Sequence, residues 1–156
     1  MNRLILIASV ILLNSFTVFA QKFNMEELRK FNNMDMETFR AEIKNTYNYS
    51  YRDKTESEDY NLFEYDSPDY KRTISKFDYS DDKTLNRIQY TTVDNKEFEE
   101  FKNSMIQLKY EVTGTGTIPG TRETYTDYKL ENLDIRLLEP IKGAGLNEPF
   151  TITVFK

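Results

Sequence analysis

Twice along this chain the spacing of apolar residues changes from every third or fourth position to every second, and that change limits the folds open to it. Met25, Leu28 and Phe31 recur at helical spacing, as do Met36, Phe39 and Ile43. Then the period drops to two. Tyr47, Tyr49 and Tyr51 alternate with Asn48, Ser50 and Arg52, the pattern of a half-buried strand. Phe98, Phe101 and Met105 restore the helical stripe, and Phe150, Ile152 and Val154 against Thr151 and Thr153 return to alternation. Helices with one apolar stripe and strands with one apolar face must bury those surfaces against each other, which predicts an α+β fold.

The boundaries follow from turn and cap residues. Asn24 and Glu27 have capping-box spacing and predict a helix over 25–31, ended by Asn32-Asn33; a second helix is expected over 35–44. The acidic stretch 53–59 reads as a turn, and strands are expected over 60–65, 70–79 and 85–93, with a hairpin loop at 80–83. Asp94 and Glu97 form a second capping box before a helix over 95–107, followed by strands over 108–113, 123–130, 133–138 and 150–155. Connections this short imply antiparallel pairing. The expectation is one domain over residues 21–156. It holds an antiparallel sheet of about eight strands in two helix-plus-four-strand halves (24–93 and 94–156), with the helices on one face. Met36-Phe39-Ile43 falls in register with Phe98-Phe101-Met105, and Tyr90-Thr91 with Phe150-Thr151. An internal duplication and a chance likeness of two similar stretches both fit that register.

Residues 1–20 read as a cleavable export signal. Arg3 supplies the positive start, Leu4 to Leu13 an unbroken apolar run, and Val18-Phe19-Ala20 a cleavage site with small residues where a peptidase requires them. The expected destination is the periplasm or the extracellular medium, with no stable membrane anchor after cleavage. The chain has no cysteine, so neither lipidation through a thiol nor a disulfide is available, and the core alone must hold the domain together. An exported domain without disulfides, rich in Asn, Lys, Ile and Tyr, fits a bacterial envelope or secreted protein.

Histidine is absent too. Without His and Cys there is no Ser-His-Asp triad, no Cys-His nucleophile and no ordinary zinc site. Beyond the leader, 20 basic residues (the 21 of the whole chain less Arg3) stand against 26 acidic ones, a formal charge of −6. A negative surface of mixed charges argues against nucleic acid and anionic lipid, and suits a basic protein partner. No cofactor is expected. The acidic stretch lacks the glycine and the ligand register of a calcium loop, so no metal is expected there either.

The candidate residues are therefore those that suit protein contacts. The chain has eleven Tyr and no Trp, and a tyrosine ring with its polar tip serves interfaces well. Tyr60, Tyr65, Tyr125 and Tyr128 are the candidates on strands; the same rings can instead cover the core. Glu56, Glu58 and Asp59 in the acidic loop suit a cationic cleft. Gly114 to Thr121 reads as a long mobile hairpin with apolar Ile118 near its tip, and it is no phosphate loop because no Lys or helix follows.

A helical segment with a four-stranded antiparallel sheet, repeated once across 24–155, resembles the tandem-repeat fold of β-lactamase inhibitory proteins and related small envelope proteins. The resemblance lies in element order, and the chain departs from that family in having neither Cys nor Trp. It implies a binder and names no target. The function expected is an exported protein-binding module, such as a periplasmic inhibitor or a toxin-immunity protein. The alternatives are an accessory envelope protein without a discrete site and, third, a hydrolase using paired carboxylates.

Overall fold

Each helix begins on a side-chain cap, and those at Asn24 and Asp94 are visible in the sequence. The computed structural model describes residues 22–141, 143 and 148–155; the leader read at 1–20 lies outside them. Helix α1 (Met25–Asn33) opens on a reciprocal box: Asn24 Oδ1 accepts from the Glu27 amide at 3.0 Å, and Glu27 accepts from the Asn24 amide at 2.8 Å. Helix α2 (Met36–Asn45) opens on Asp35, which accepts from the amide and hydroxyl of Thr38 at 2.8 and 2.7 Å. Those bonds, the amide's first, hold the Asp35 carboxyl below its ordinary pKa.

The strands are β1 (Ser50–Glu56), β2 (Tyr60–Asp66), β3 (Arg72–Tyr79) and β4 (Arg87–Thr92), then, after helix α3 (Asn95–Gln107), β5 (Glu111–Thr117), β6 (Thr124–Leu130), β7 (Leu133–Glu139) and β8 (Phe150–Phe155). They form one open antiparallel sheet in the order β1-β2-β3-β4-β8-β7-β6-β5. The last strand of each half thus meets its counterpart at the centre, where Thr91 lies opposite Thr151. Since the halves run head to tail across that seam, the β1–β2 and β3–β4 hairpin tips point to one end of the sheet and the β5–β6 tip to the other.

One face of the sheet carries the core. Phe63, Tyr65, Ile74, Ile88, Tyr90, Ile152, Val154, Ile135 and Leu137 alternate inward, and Leu28, Phe31, Phe39, Ile43, Phe98 and Met105 come down on them from the helices. Phe23 is also core, with its ring centroid 5.0 to 5.3 Å from those of Phe31, Tyr47, Tyr49 and Tyr90. Lys76 is buried on this face and donates to the carbonyls of Phe31 (2.8 Å) and Asn32 (3.2 Å), placing a cation where the α1 dipole ends.

The structure corrects five local expectations. Helix α1 runs through Asn32 and Asn33 and stops at Met34, instead of ending at that pair. The alternation of Tyr47, Tyr49 and Tyr51 is not one strand: Asn48 is left-handed at φ 58°, so Tyr47 and Tyr49 enter the core ahead of β1, while Tyr51 is 55% exposed. Asp53 to Glu56 belong to β1 and pair with β2, which leaves only residues 57–59 as the turn. Gly114 to Thr117 likewise lie inside β5, shortening the Gly-rich hairpin to 118–123. The loop between β3 and β4 is longer than 80–83, because a 3₁₀ turn over Lys83–Leu85 precedes β4.

Glu97 departs from its capping role. Asp94 caps α3 by accepting from the amides of Lys96 and Glu97, but the Asp94 amide donates to the Thr92 hydroxyl at 3.1 Å, which frees the Glu97 side chain. It turns inward, 1% exposed, to Arg72 Nε at 2.9 Å, Thr92 Oγ1 at 3.2 Å and the Tyr90 hydroxyl, which donates to it. Arg72 also reaches Asp69 at 3.0 Å. Burial alone would depress the Arg72 pKa, but Glu97 and then Asp69 raise it. The sheet can hold this ion pair beside its seam because every carboxylate oxygen of Glu97 has a donor.

Candidate functional site on the open face

The alternation that sends Tyr90 and Ile152 into the core sends their neighbours to the opposite face, which no described helix covers. One continuous row across four strands there is Leu62, Phe77, Arg87 and Phe155. Tyr60 pairs with Tyr79 in the next row toward the hairpin tips. The Tyr60 centroid lies 5.3 Å from that of Tyr79 and 5.9 Å from that of Phe77, and the Arg87 guanidinium stands 4.2 Å over Phe77. All six side chains are half-buried, shielded by one another and open on their outer side. Such a patch combines apolar area with a stacked cation, the composition found at the centres of protein interfaces.

Further along the same strands, away from the β1–β2 tip, the face turns polar with Ser75, Gln89, Thr91, Thr151 and Thr153. At its far side Tyr125 covers Gly116, and Arg136 stacks 4.4 Å above the Tyr125 ring while gripping Asp127 by two bonds of 2.7 and 2.8 Å. A side chain at position 116 would begin 2.8 Å from that ring, so the glycine lets the ring lie flat over the strand.

The residues singled out from sequence separate into groups. Glu56, Glu58, Asp59 and Tyr60 come together at the β1–β2 tip, with the acids exposed. The Asp59 carbonyl accepts from the Ser80 amide at 2.8 Å, which draws in the β3–β4 loop with Asp81 and Asp82. The acids therefore rim the end of the sheet where the aromatic patch lies. Ile118 and Tyr125 sit at the diagonally opposite corner, Ile118 half-buried at the base of its turn. With β1 and β5 seven strand spacings apart and the tips at opposite ends of the strands, the corners stand roughly 40 Å from one another. Tyr65 and Tyr128 point to the helix face, 3% and 9% exposed, as parts of the core.

Sequence reasoning missed Leu62, Phe77, Arg87 and Phe155. A signal was present: β2 and β3 carry apolar residues on both faces (Leu62 beside Phe63, and Phe77 on the face opposite Ile74), where a strand with one wet face alternates cleanly.

The helix side has a cleft of about 600 Å³ between α2 and β1–β2. Arg40, Lys44 and Lys54 line it over a floor of Tyr51, Phe63 and Tyr65. Arg40 stands 4.5 Å over Phe63 and its Nε donates to the Tyr65 hydroxyl at 3.3 Å.

Among the described residues no group of three carboxylates gathers as for a metal ion. Asp127 and Asp134 share a small depression, but each already faces a cation: Arg136 for the first, and Lys129 at 3.4 Å for the second. Both carboxylates are thus engaged in ion pairs at the sheet surface. No described helix is long and apolar enough to cross a membrane. No family model, no curated protein and no solved structure matches the chain.

Proposed function

We propose that this chain is an exported protein-binding module, of the inhibitor or toxin-immunity type, that docks a protein partner on the open face of its sheet. The observation that carries the reading is the aromatic patch of Tyr60, Leu62, Phe77, Tyr79 and Phe155 around Arg87, left uncovered by the described helices and rimmed by Glu56, Glu58 and Asp59. An apolar centre inside an acidic rim suits a partner with an apolar knob set among basic residues, since the rim steers encounter and the centre holds. Export to the periplasm or medium belongs to the same proposal and rests on the leader sequence. So does the likeness to β-lactamase inhibitory proteins, which rests on element order.

The accessory reading predicts self-association through a sheet edge. Both edge strands are blunted: a bulge interrupts β1 after Tyr51 and β5 after Val112, and β1 alternates charges along Arg52, Asp53, Lys54 and Glu56. The test of the binding reading is affinity capture from the native organism with the purified exported chain. A stoichiometric partner is expected that is released by salt and lost with Phe77→Asp. Capture unaffected by Phe77→Asp, or no partner at all, sinks the proposal.

A further inference from the structure

The cleft on the helix side carries a second inference, independent of the sheet-face reading. None of its lining residues is acidic, although the whole chain is acidic at −5. Several other surface cations lie against carboxylates: Lys30 with Glu42, Arg52 with Asp66, Lys83 with Asp78, and Lys102 with both Glu99 and Glu139. Among the described residues no carboxylate stands within ion-pair reach of Arg40 or Lys44, and Lys54 pairs with Glu56 only at the outer rim. Arg40 is held in place by the Phe63 ring beneath it and by the Tyr65 hydroxyl on its Nε, which leaves its two terminal nitrogens for a ligand. Tyr51, 55% exposed, stands edge-on to Tyr65 at 5.8 Å and gives the cleft an open aromatic wall.

We propose that this cleft binds a ligand joining a carboxylate to a flat ring. The fixed guanidinium fork matches a carboxylate in two parallel bonds, with Lys44 as a second cation. The exposed ring of Tyr51 offers a stacking face to the planar part, beside the guanidinium that already covers Phe63. A cleft of this size lies in the range that holds small ligands. A phosphate fits less well, because Lys44 and Asn45 sit at the C-terminal end of α2, where the helix presents carbonyls instead of amides and its dipole opposes a dianion. The carboxylate and ring can belong to a free small acid or to an Asp or Glu beside an aromatic residue in a peptide segment.

The experiment is an NMR titration of the purified protein with phenylacetate, neutral phenylacetamide, inorganic phosphate and an N-acetyl-Asp-Phe-amide peptide. Saturable phenylacetate binding is expected, with shifts at Tyr51 and Tyr65. Arg40→Gln should weaken it about tenfold, the loss of a charge-assisted pair. Lys44→Gln should weaken it about threefold, as befits an exposed cation. Lys102→Gln, outside the cleft, should leave it unchanged. Tighter binding of the peptide than of phenylacetate assigns the site to a protein segment; weaker binding assigns it to a free acid. Phenylacetamide or phosphate binding as well as phenylacetate, no saturation with any compound, or an Arg40→Gln affinity equal to that of the parent would overturn the proposal.

Discussion

The two halves of the sheet share their irregularities and differ in their chemistry. Before each edge strand stands a left-handed residue, Asn48 at φ 58° and Lys109 at φ 59°, and each is followed by a buried tyrosine, Tyr49 and Tyr110. Each edge strand then carries a bulge two residues further on. A cation from the covering helix faces the tyrosine of the next strand in both: Arg40 with Tyr65, Lys102 with Tyr128. These shared features support a duplicated unit.

The side chains then diverge. Arg40 has no acid partner among the described residues and overlooks a cleft, whereas Lys102 is neutralised by Glu99 and Glu139. Tyr51 and Lys44 in the first half have Val112 and Ile106 as topological counterparts, 59% and 72% exposed. The first half also has an extra helix, α1, while the second carries glycines in its edge strand. The lesson is that the backbone frame tolerates opposite surfaces, because bulges and left-handed turns are set by local geometry while the outward side chains are free to specialise.

The largest expected effect breaks the link between the halves. Glu97 comes from α3, and its partners Arg72, Tyr90 and Thr92 belong to the first half. Glu97→Ala leaves the Arg72 guanidinium buried with Asp69 alone and should cost about 3–5 kcal/mol in urea unfolding. A loss below about 1 kcal/mol would show that the halves hold together without it.

Next comes alkali. Burial raises the Tyr49 and Tyr90 hydroxyls, and burial together with Glu27 pushes Tyr47 up to about 12. Because the folded values exceed the unfolded value near 10, their contribution to stability is complete below pH 10 and is lost as pH rises toward the folded values. Tyrosinate absorbance should therefore appear in two stages, with Tyr47, Tyr49 and Tyr90 in the later one, which accompanies unfolding. A single stage would contradict the burial.

A sharper comparison sets the two counterpart tyrosines side by side. The Tyr49 hydroxyl is hydrogen-bonded to Tyr90, whereas the buried Tyr110 hydroxyl has no partner among the described residues. Tyr49→Phe should cost about 1 kcal/mol, while Tyr110→Phe should be neutral or stabilising by a similar amount. Equal losses would remove the distinction.

Gly116→Ala places a methyl group 2.8 Å from the Tyr125 ring and should cost about 1 kcal/mol as the ring yields and the Arg136 stack loosens. Thr55, on the equivalent stretch of β1, should accept Ala within about 0.5 kcal/mol. The smallest effect is acidic. Burial would raise the Asp69 carboxyl, but the Ser67 hydroxyl, the Lys71 amide and Arg72 outweigh it and hold it below 3.8. Its contribution is present above that value and is lost as pH falls through the lower folded one. The Asp69→Asn variant should lose stability at neutral pH and lack that acid-dependent step.

The chain's own letters decided the fold class, the order of elements, the span of α3 and the caps at Asn24 and Asp94, because periodicity and capping act within a few residues. They brought Tyr60 together with Glu56, Glu58 and Asp59, which are neighbours in sequence. Only the tertiary structure decided that Glu97 turns from its helix end to Arg72, that Leu62, Phe77, Arg87 and Phe155 form one row, and that Ile118 and Tyr125 stand at the far corner. Those facts depend on strand order and register, and registers are set by contacts between residues tens of positions apart, which local periodicity does not record. The Arg40 cleft is of the same kind: a helix and two strands must meet before three cations and three rings share one space.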